Sequence, residues 1–333
     1  MNKRERVLRA LKRETVDRPP VLCVNSTATQ QQAETLQVKW PLFHQKSEEM
    51  AKMARGAYEI LGFDAVRLPF CQTIEAEALG CKVIYRGFMP RNDEALYQLD
   101  ASPEFPDDFL NRGRIPELLE AIERLKRYVD GQALVLGGVV GPLTIARALL
   151  DSVPLLKASI KTPEKIVPFL EVGKRASIQL SLALLEAGVE VIVIEDMTAS
   201  PDLSHPKTYN NIVGEYHKQI IQTLSAPVIL HVCGNVTLIA EEMVRTEASA
   251  LSIDPKAETY LMRTKVGKQT ALIGGVDTTS LIFSNPQEIK AISLKALNDG
   301  IDILAPGCAI PPNTPLENLK AMVQAAEEFK APS

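Results

Sequence analysis

The 333-residue sequence has no apolar run near the roughly 18 residues that a membrane-spanning helix needs, and no apolar stretch follows the basic Lys3, Arg4 and Arg6 at its start. Neither a spanning helix nor a secretory leader is expected, and the chain reads as cytoplasmic. Cysteine is scarce: Cys23, Cys71, Cys81, Cys233 and Cys308 are too few and too scattered for a disulfide framework, which suits a reducing compartment where thiols fill cores or hold metals. Cys23, Cys71 and Cys81 read as core residues. Charge of one sign is also lacking, with 37 basic against 41 acidic residues and a net charge of −4. The mild acidity and the lack of a basic stripe interleaved with aromatics argue against a nucleic-acid binder. No glycine-rich dinucleotide fingerprint follows the first hydrophobic run, which counts against an open doubly wound sheet. With 46% hydrophobic and 23% charged residues, what remains is an ordinary globular enzyme.

Helical and extended patterns alternate along that chain. Val7, Leu8 and Leu11 share a stripe over residues 4–13. A second helix begins near Ser47, carries Met50, Met53, Ala54, Ala57 and Ile60, and stops at Gly62. The junction after it recurs: Gly62-Phe63-Asp64, Gly188-Val189-Glu190 and Gly300-Ile301-Asp302 each put a helix-stopping glycine and then an acid before a hydrophobic run. Helix starts agree, since Thr162-Pro163, Asn285-Pro286 and Thr314-Pro315 place a capping residue ahead of a proline at the first helical position. Strands are expected at residues 21–24, 65–68, 134–140, 191–194, 228–232, 250–253, 271–275 and 301–305. Eight such runs separated by helices predict an α/β fold, a (β/α)8 TIM barrel with an N-terminal helical extension, forming one domain over residues 1–333. The stretch from 80 to 116 exceeds what one crossover needs and predicts an inserted hairpin or lid over the barrel mouth.

The chemistry concentrates at two strand ends. His231 and Cys233 close the run at 228–232, and side chains at i and i+2 of an extended segment point to one face, so a ring nitrogen and a sulfur can reach one ion. Cys308 arrives at the end of another hydrophobic run, after Pro306-Gly307. One nitrogen and two sulfurs are the donor types of a catalytic zinc that keeps its fourth position open. Two thiolates neutralise the ion's charge, so the set favours lowering the pKa of an incoming thiol and alkyl transfer to its sulfur over polarising a carbonyl. A zinc-hydroxide hydrolase is the competing chemistry. Further polar residues fall at strand ends. Asp254 could hold the open zinc position or merely start the turn before Pro255. Arg67 could meet an anionic substrate group or a structural carboxylate, and Glu195 and Asp196 could accept protons or partner His231. Asn235 and Asp277 are weaker candidates of the same kind.

Together, His231-Val232-Cys233-Gly234-Asn235, the later Leu304-Ala305-Pro306-Gly307-Cys308, Thr314 to Asn318, Ala199 to Leu203 and Ala65 to Pro69 resemble the uroporphyrinogen decarboxylase superfamily, and within it the corrinoid methyltransferase branch. The resemblance implies a barrel whose zinc, held by His231, Cys233 and Cys308, binds a small thiol such as coenzyme M as a thiolate. That thiolate takes a methyl group from a methylated corrinoid (methylcobalamin type) on a partner protein. Asp254 stands where that branch places an acid near the metal, as the shorter Asp rather than Glu. Arg67, Glu195, Asn235 and Asp277 are the candidate substrate-binding residues. Transfer in the other half-reaction, from a methylated substrate to the corrinoid, is the alternative, and tetrahydrofolate or another thiol is an alternative acceptor. The decarboxylases carry an arginine-bearing motif near their N-terminus, whereas this chain has Asn25, Ser26 and Thr27 there. A module that only docks a corrinoid protein and a homo-oligomeric assembly are both compatible with the sequence.

Overall fold

The structure is a computed structural model that describes residues 1–330. Its strands are β1 (Ala65–Leu68), β2 (Val83–Tyr85), β3 (Pro90–Asn92), β4 (Leu134–Val140), β5 (Val191–Glu195), β6 (Val228–Val232), β7 (Ala250–Ile253), β8 (Ala271–Val276) and β9 (Ile303–Pro306). Seven of them form one parallel sheet in the order β1-β4-β5-β6-β7-β8-β9, with helices packed outside, as the alternating pattern predicts.

The first expected strand, residues 21–24, is reduced to a single bridge between Val21 and Leu304. It still closes the ring: Leu22 N–H donates to Leu304 O (3.1 Å), Leu304 N–H to Pro20 O (2.9 Å), and Asp64 N–H to Val21 O (2.7 Å). The ladder stops short because Pro19 and Pro20 have no N–H, and because Val21 donates its own N–H to the Asp64 side chain at 2.8 Å.

Alternation inside the sheet decides what the barrel contains. Ala65, Leu134, Leu136, Val191, Val193, Ile229, Ala250, Ala271, Ile273, Ile303 and Ala305 form one inner cluster, while Val135, Ile192, Ile194, Leu230, Leu251 and Leu304 join the layer shared with the helices. The helix Lys3–Leu11 adds Val7, Ala10 and Leu11 to the inner cluster and so plugs the barrel's amino-terminal end. The recurring junction acids hold that plug. Asp64 pairs with Arg6 and Arg18, Glu190 with Arg4, and Asp302 with Arg13.

Helix starts follow the expected caps in one case of three. Asn285 makes a full capping box with Glu288 ahead of Pro286–Asn298. At Thr162 the proline instead opens a 3-10 turn, Pro163–Lys165, before the helix Val167–Ala187. At Thr314 the helix starts one residue later than expected, at Leu316, and Thr314 caps nothing. The segment after residue 80 contains an antiparallel hairpin, β2 with β3. Trp40 stacks on its Phe88 at 5.9 Å, and Met89 to Asn92 line a cavity at the barrel mouth. Among the described residues no helix is long and apolar enough to cross a membrane.

Candidate active site

Two residues beyond the inward-facing Ala65, Val193, Ile229 and Ala250 on the same strands stand Arg67, Glu195, His231 and Ser252. The period-two alternation that fills the barrel with aliphatic side chains therefore ends in a polar layer at the carboxyl ends of the strands, where barrel sites form. All four are buried.

His231 lies opposite Ser252 in the β6–β7 register, and its Nδ1 is 3.0 Å from Ser252 Oγ. Its Nε2 is 3.1 Å from Cys233 Sγ, as expected for an i, i+2 pair. Gly234 turns the chain immediately afterwards at φ +76°, and a β-carbon there would sit 2.5 Å from Asp202 Oδ2. Cys308 comes from the loop after β9, with its Sγ 3.5 Å from Cys233 Sγ. That loop is strapped to the start of the chain: Ile310 N–H donates to Ser26 O at 2.9 Å, and the Cys23 thiol points at Cys308 O.

One atom each from His231, Cys233 and Cys308 lie within 4.8 Å of one another. The hydrogen bond with Cys233, opposed by burial and helped by His231, pulls the Cys308 thiol down, and the same contact pushes Cys233 up. The pair therefore favours a single negative charge shared between the two sulfurs. One imidazole nitrogen and two converging sulfurs, with the other ring nitrogen already hydrogen-bonded, fit a zinc ion.

The remaining candidates divide. Arg67 forms an ion pair with Glu195, whose other oxygen accepts from Gln72 Nε2 at 2.7 Å, while Arg67 also donates to Pro69 O. Burial brings the Arg67 pKa down to about 10, so it stays cationic at neutral pH. Gly138, lacking a β-carbon, leaves the guanidinium its space. Arg67, Glu195 and Cys308 all line one cavity of about 510 Å³, together with Asn25, Cys71 and the hairpin. Asp254 lies outside the three-atom group. Its carboxylate accepts from Lys256 N (2.9 Å) and Gly234 N (3.4 Å), bracing the turn that carries Cys233. The exposed Asn235 caps the turn Val236–Leu238, and Asp277 caps the helix Thr278–Phe283 through Ser280 N at 2.8 Å.

Asp196 is not a partner of the His231 ring. Its side chain points to the opposite face from that of Glu195. There it accepts from Leu143 N, Thr144 N and Thr144 Oγ1 at the start of the helix Pro142–Leu149, and pairs with His217 at 3.0 Å. The ring's partner is Ser252, which sequence reasoning missed. Its only signal is a polar residue in a buried run, Leu251-Ser252-Ile253. Gln72 was missed as well.

The uroporphyrinogen decarboxylase (URO-D) family model matches residues 2–329. The chain is 36% identical over 332 residues, 98% of each chain, to the methylcobamide:CoM methyltransferase MtaA of Methanosarcina barkeri. It is 28% identical to a methylated-thiol--coenzyme M methyltransferase of Methanosarcina mazei, covering 94% of this chain and 86% of that one. A solved methyltransferase structure from Methanosarcina mazei superposes with a TM-score of 0.95 at 36% identity, covering 99% of both chains. With the family model matching residues 2–329 and the solved methyltransferase superposing over 99% of the chain, the chain belongs to the uroporphyrinogen decarboxylase family, in its corrinoid methyltransferase branch.

Proposed function

We propose that this chain is a zinc-dependent methyltransferase, one catalytic domain that moves a methyl group from a methylated corrinoid on a partner protein to a small thiol such as coenzyme M. The observation that carries the reading is the convergence of His231 Nε2, Cys233 Sγ and Cys308 Sγ in a chain 36% identical to a methylcobamide:CoM methyltransferase. His231, Cys233 and Cys308 are the proposed ligands. When bound, zinc supplies an open coordination position that lowers the pKa of an incoming thiol.

The rest falls to the protein. Ser252 holds the His231 ring so that Nε2 faces the two sulfurs. Asp202, Asp254 and the left-handed Gly234 fix the turn that presents Cys233. The cavity beside Cys308 accepts the body of the thiol, with Arg67, Glu195 and Gln72 offering a polar wall that orients it. The acceptor sulfur then forms a bond to the methyl carbon as the carbon–cobalt bond breaks, and that bond's electron pair stays on cobalt. Asp254 is proposed to act through the Cys233 turn, and Asn235 and Asp277 as rim residues near it. A second reading, in which a methylated thiol is the donor, is favoured by the methylated-thiol relative alone.

Metal analysis of the wild type and Cys308→Ala, followed by incubation of the zinc-loaded protein with methylcobalamin and coenzyme M, tests this. Loss of zinc and of thiol methylation in Cys308→Ala, with the wild type producing methylated thiol and Co(I), is the expected result. Full zinc content in the variant, or a wild type inert toward every thiol offered, overturns it.

A further inference from the structure

Cys71 is a core residue, as the sequence predicts, and its sulfur also lies in the wall of the same cavity as Cys308. Its sulfur accepts a hydrogen bond from Thr73 Oγ1 (3.4 Å) and from Arg114 Nη1 (3.5 Å). That guanidinium is held in place by three other contacts: Nε on Glu77 Oε2 at 2.6 Å, Nη2 on Thr73 Oγ1 at 2.6 Å, and Nη1 on His44 O at 2.9 Å. The His44 side chain is near enough to help hold the Cys71 thiol down. Its Nε2 lies 3.3 Å from Phe88 O, while Nδ1 is buried without a hydrogen-bond partner among the described residues. Cys23 and Cys81 have no such surroundings. The first touches only carbonyl oxygens and the second points at Ala148 O.

We propose that Cys71 is a second reactive thiolate of the active-site cavity, a site of reversible S-thiolation by low-molecular-weight disulfides. The thiolate sulfur attacks one sulfur of the incoming disulfide. A new sulfur–sulfur bond forms, the old one breaks, and the second half leaves as a thiolate, so no further oxidant is required. The adduct stands in the space that leads to Cys308. Burial by itself raises the Cys71 thiol, but Arg114, His44 and Thr73 outweigh it and bring it down to about 6, whereas burial pushes Cys23 up to about 12 and Cys81 up to about 11. Arg67, Glu75 and Tyr85 are the other charged or titratable groups that feel this sulfur.

Treating the full-length, zinc-loaded protein with 2-hydroxyethyl disulfide and mapping the adducts by mass spectrometry tests the inference without reference to methyl transfer. At pH 7 Cys71 is expected to react tens to hundreds of times faster than Cys23 and Cys81. The lower intrinsic nucleophilicity of a low-pKa thiolate returns only about half of its ionisation advantage on a logarithmic scale. The rate should rise to about pH 6 and then level off, with zinc content unchanged. Arg114→Gln should move the plateau to higher pH and Arg114→Lys should restore it; where Arg114→Gln fails to fold, the wild-type pH profile decides. A Cys71 that stays unmodified in the folded protein, or whose rate climbs steadily to pH 9, overturns the proposal.

Discussion

Replacing Ser252 with alanine removes one oxygen and leaves the three proposed ligands untouched. In the folded protein Ser252 Oγ stands 3.0 Å from His231 Nδ1, and both residues are fully buried, so no water replaces the lost partner. A buried donor left without an acceptor costs about 1–3 kcal/mol. Loss of an outer hydrogen bond to a metal-ligating imidazole lowers metal affinity by about 10–100-fold, which is the same energy range at about 1.4 kcal/mol per tenfold. The imidazole also loses what selects its tautomer, so a fraction of molecules presents Nε2–H to the site instead of a lone pair. Zinc competition against a chromophoric chelator should therefore show Ser252→Ala weakened by one to two orders of magnitude, whereas Ser252→Thr, which keeps the hydroxyl, should retain most of the affinity. Zinc bound by Ser252→Ala as tightly as by the wild type would refute the view that this hydroxyl organises the centre.

Two further substitutions test the surroundings. Glu75 is fully buried with Val140 N–H on its Oε1 at 2.7 Å, and burial pushes its carboxyl up to about 7 from the ordinary 4.5. Between those pH values the unfolded chain has lost this proton while the folded protein keeps it, so stability falls as pH rises through the window. Glu75→Gln preserves the acceptor and should be more stable than the wild type at pH 8 by on the order of 3 kcal/mol but little different at pH 4. Urea unfolding at the two pH values checks this, and an equal difference at both would exclude titration of Glu75 as the cause. Glu195→Gln leaves the buried Arg67 guanidinium facing a neutral amide and should cost about 3–5 kcal/mol in the same assay, while Arg67→Met combined with Glu195→Leu should recover most of it. A single variant as stable as the wild type would show that the ion pair has no structural weight.

Local chemistry made part of this protein legible in one dimension. His231 and Cys233 share a face because any extended chain alternates, and the two cysteines and one histidine could be named as candidate metal ligands that the structure brings together. The glycine–acid junctions at 62–64, 188–190 and 300–302 marked repeating units correctly. Their acids proved to have a second use, holding Arg4, Arg6 and Arg13 at the closed end of the barrel, which the spacing alone does not reveal. The capping motifs at Thr162 and Thr314 misled by a few residues, because proline at a helix start tolerates a 3-10 turn or a shifted first residue.

Periodicity and residue chemistry within a few neighbours were enough for the fold class, the strand-ending positions of the reactive side chains and a candidate donor set. Which partners those groups meet was left to the packing of the barrel. Ser252 meets His231 across a strand register, Cys308 reaches Cys233 only when the barrel closes through Val21, and Thr73 and Arg114 hydrogen-bond the buried Cys71 sulfur. Asp254, read either as a holder of the open zinc position or as the start of a turn, accepts from two backbone amides, and which donors reach it is set by the path of the chain. Contacts between residues tens to hundreds of positions apart depend on how the whole barrel packs, and no local pattern encodes them.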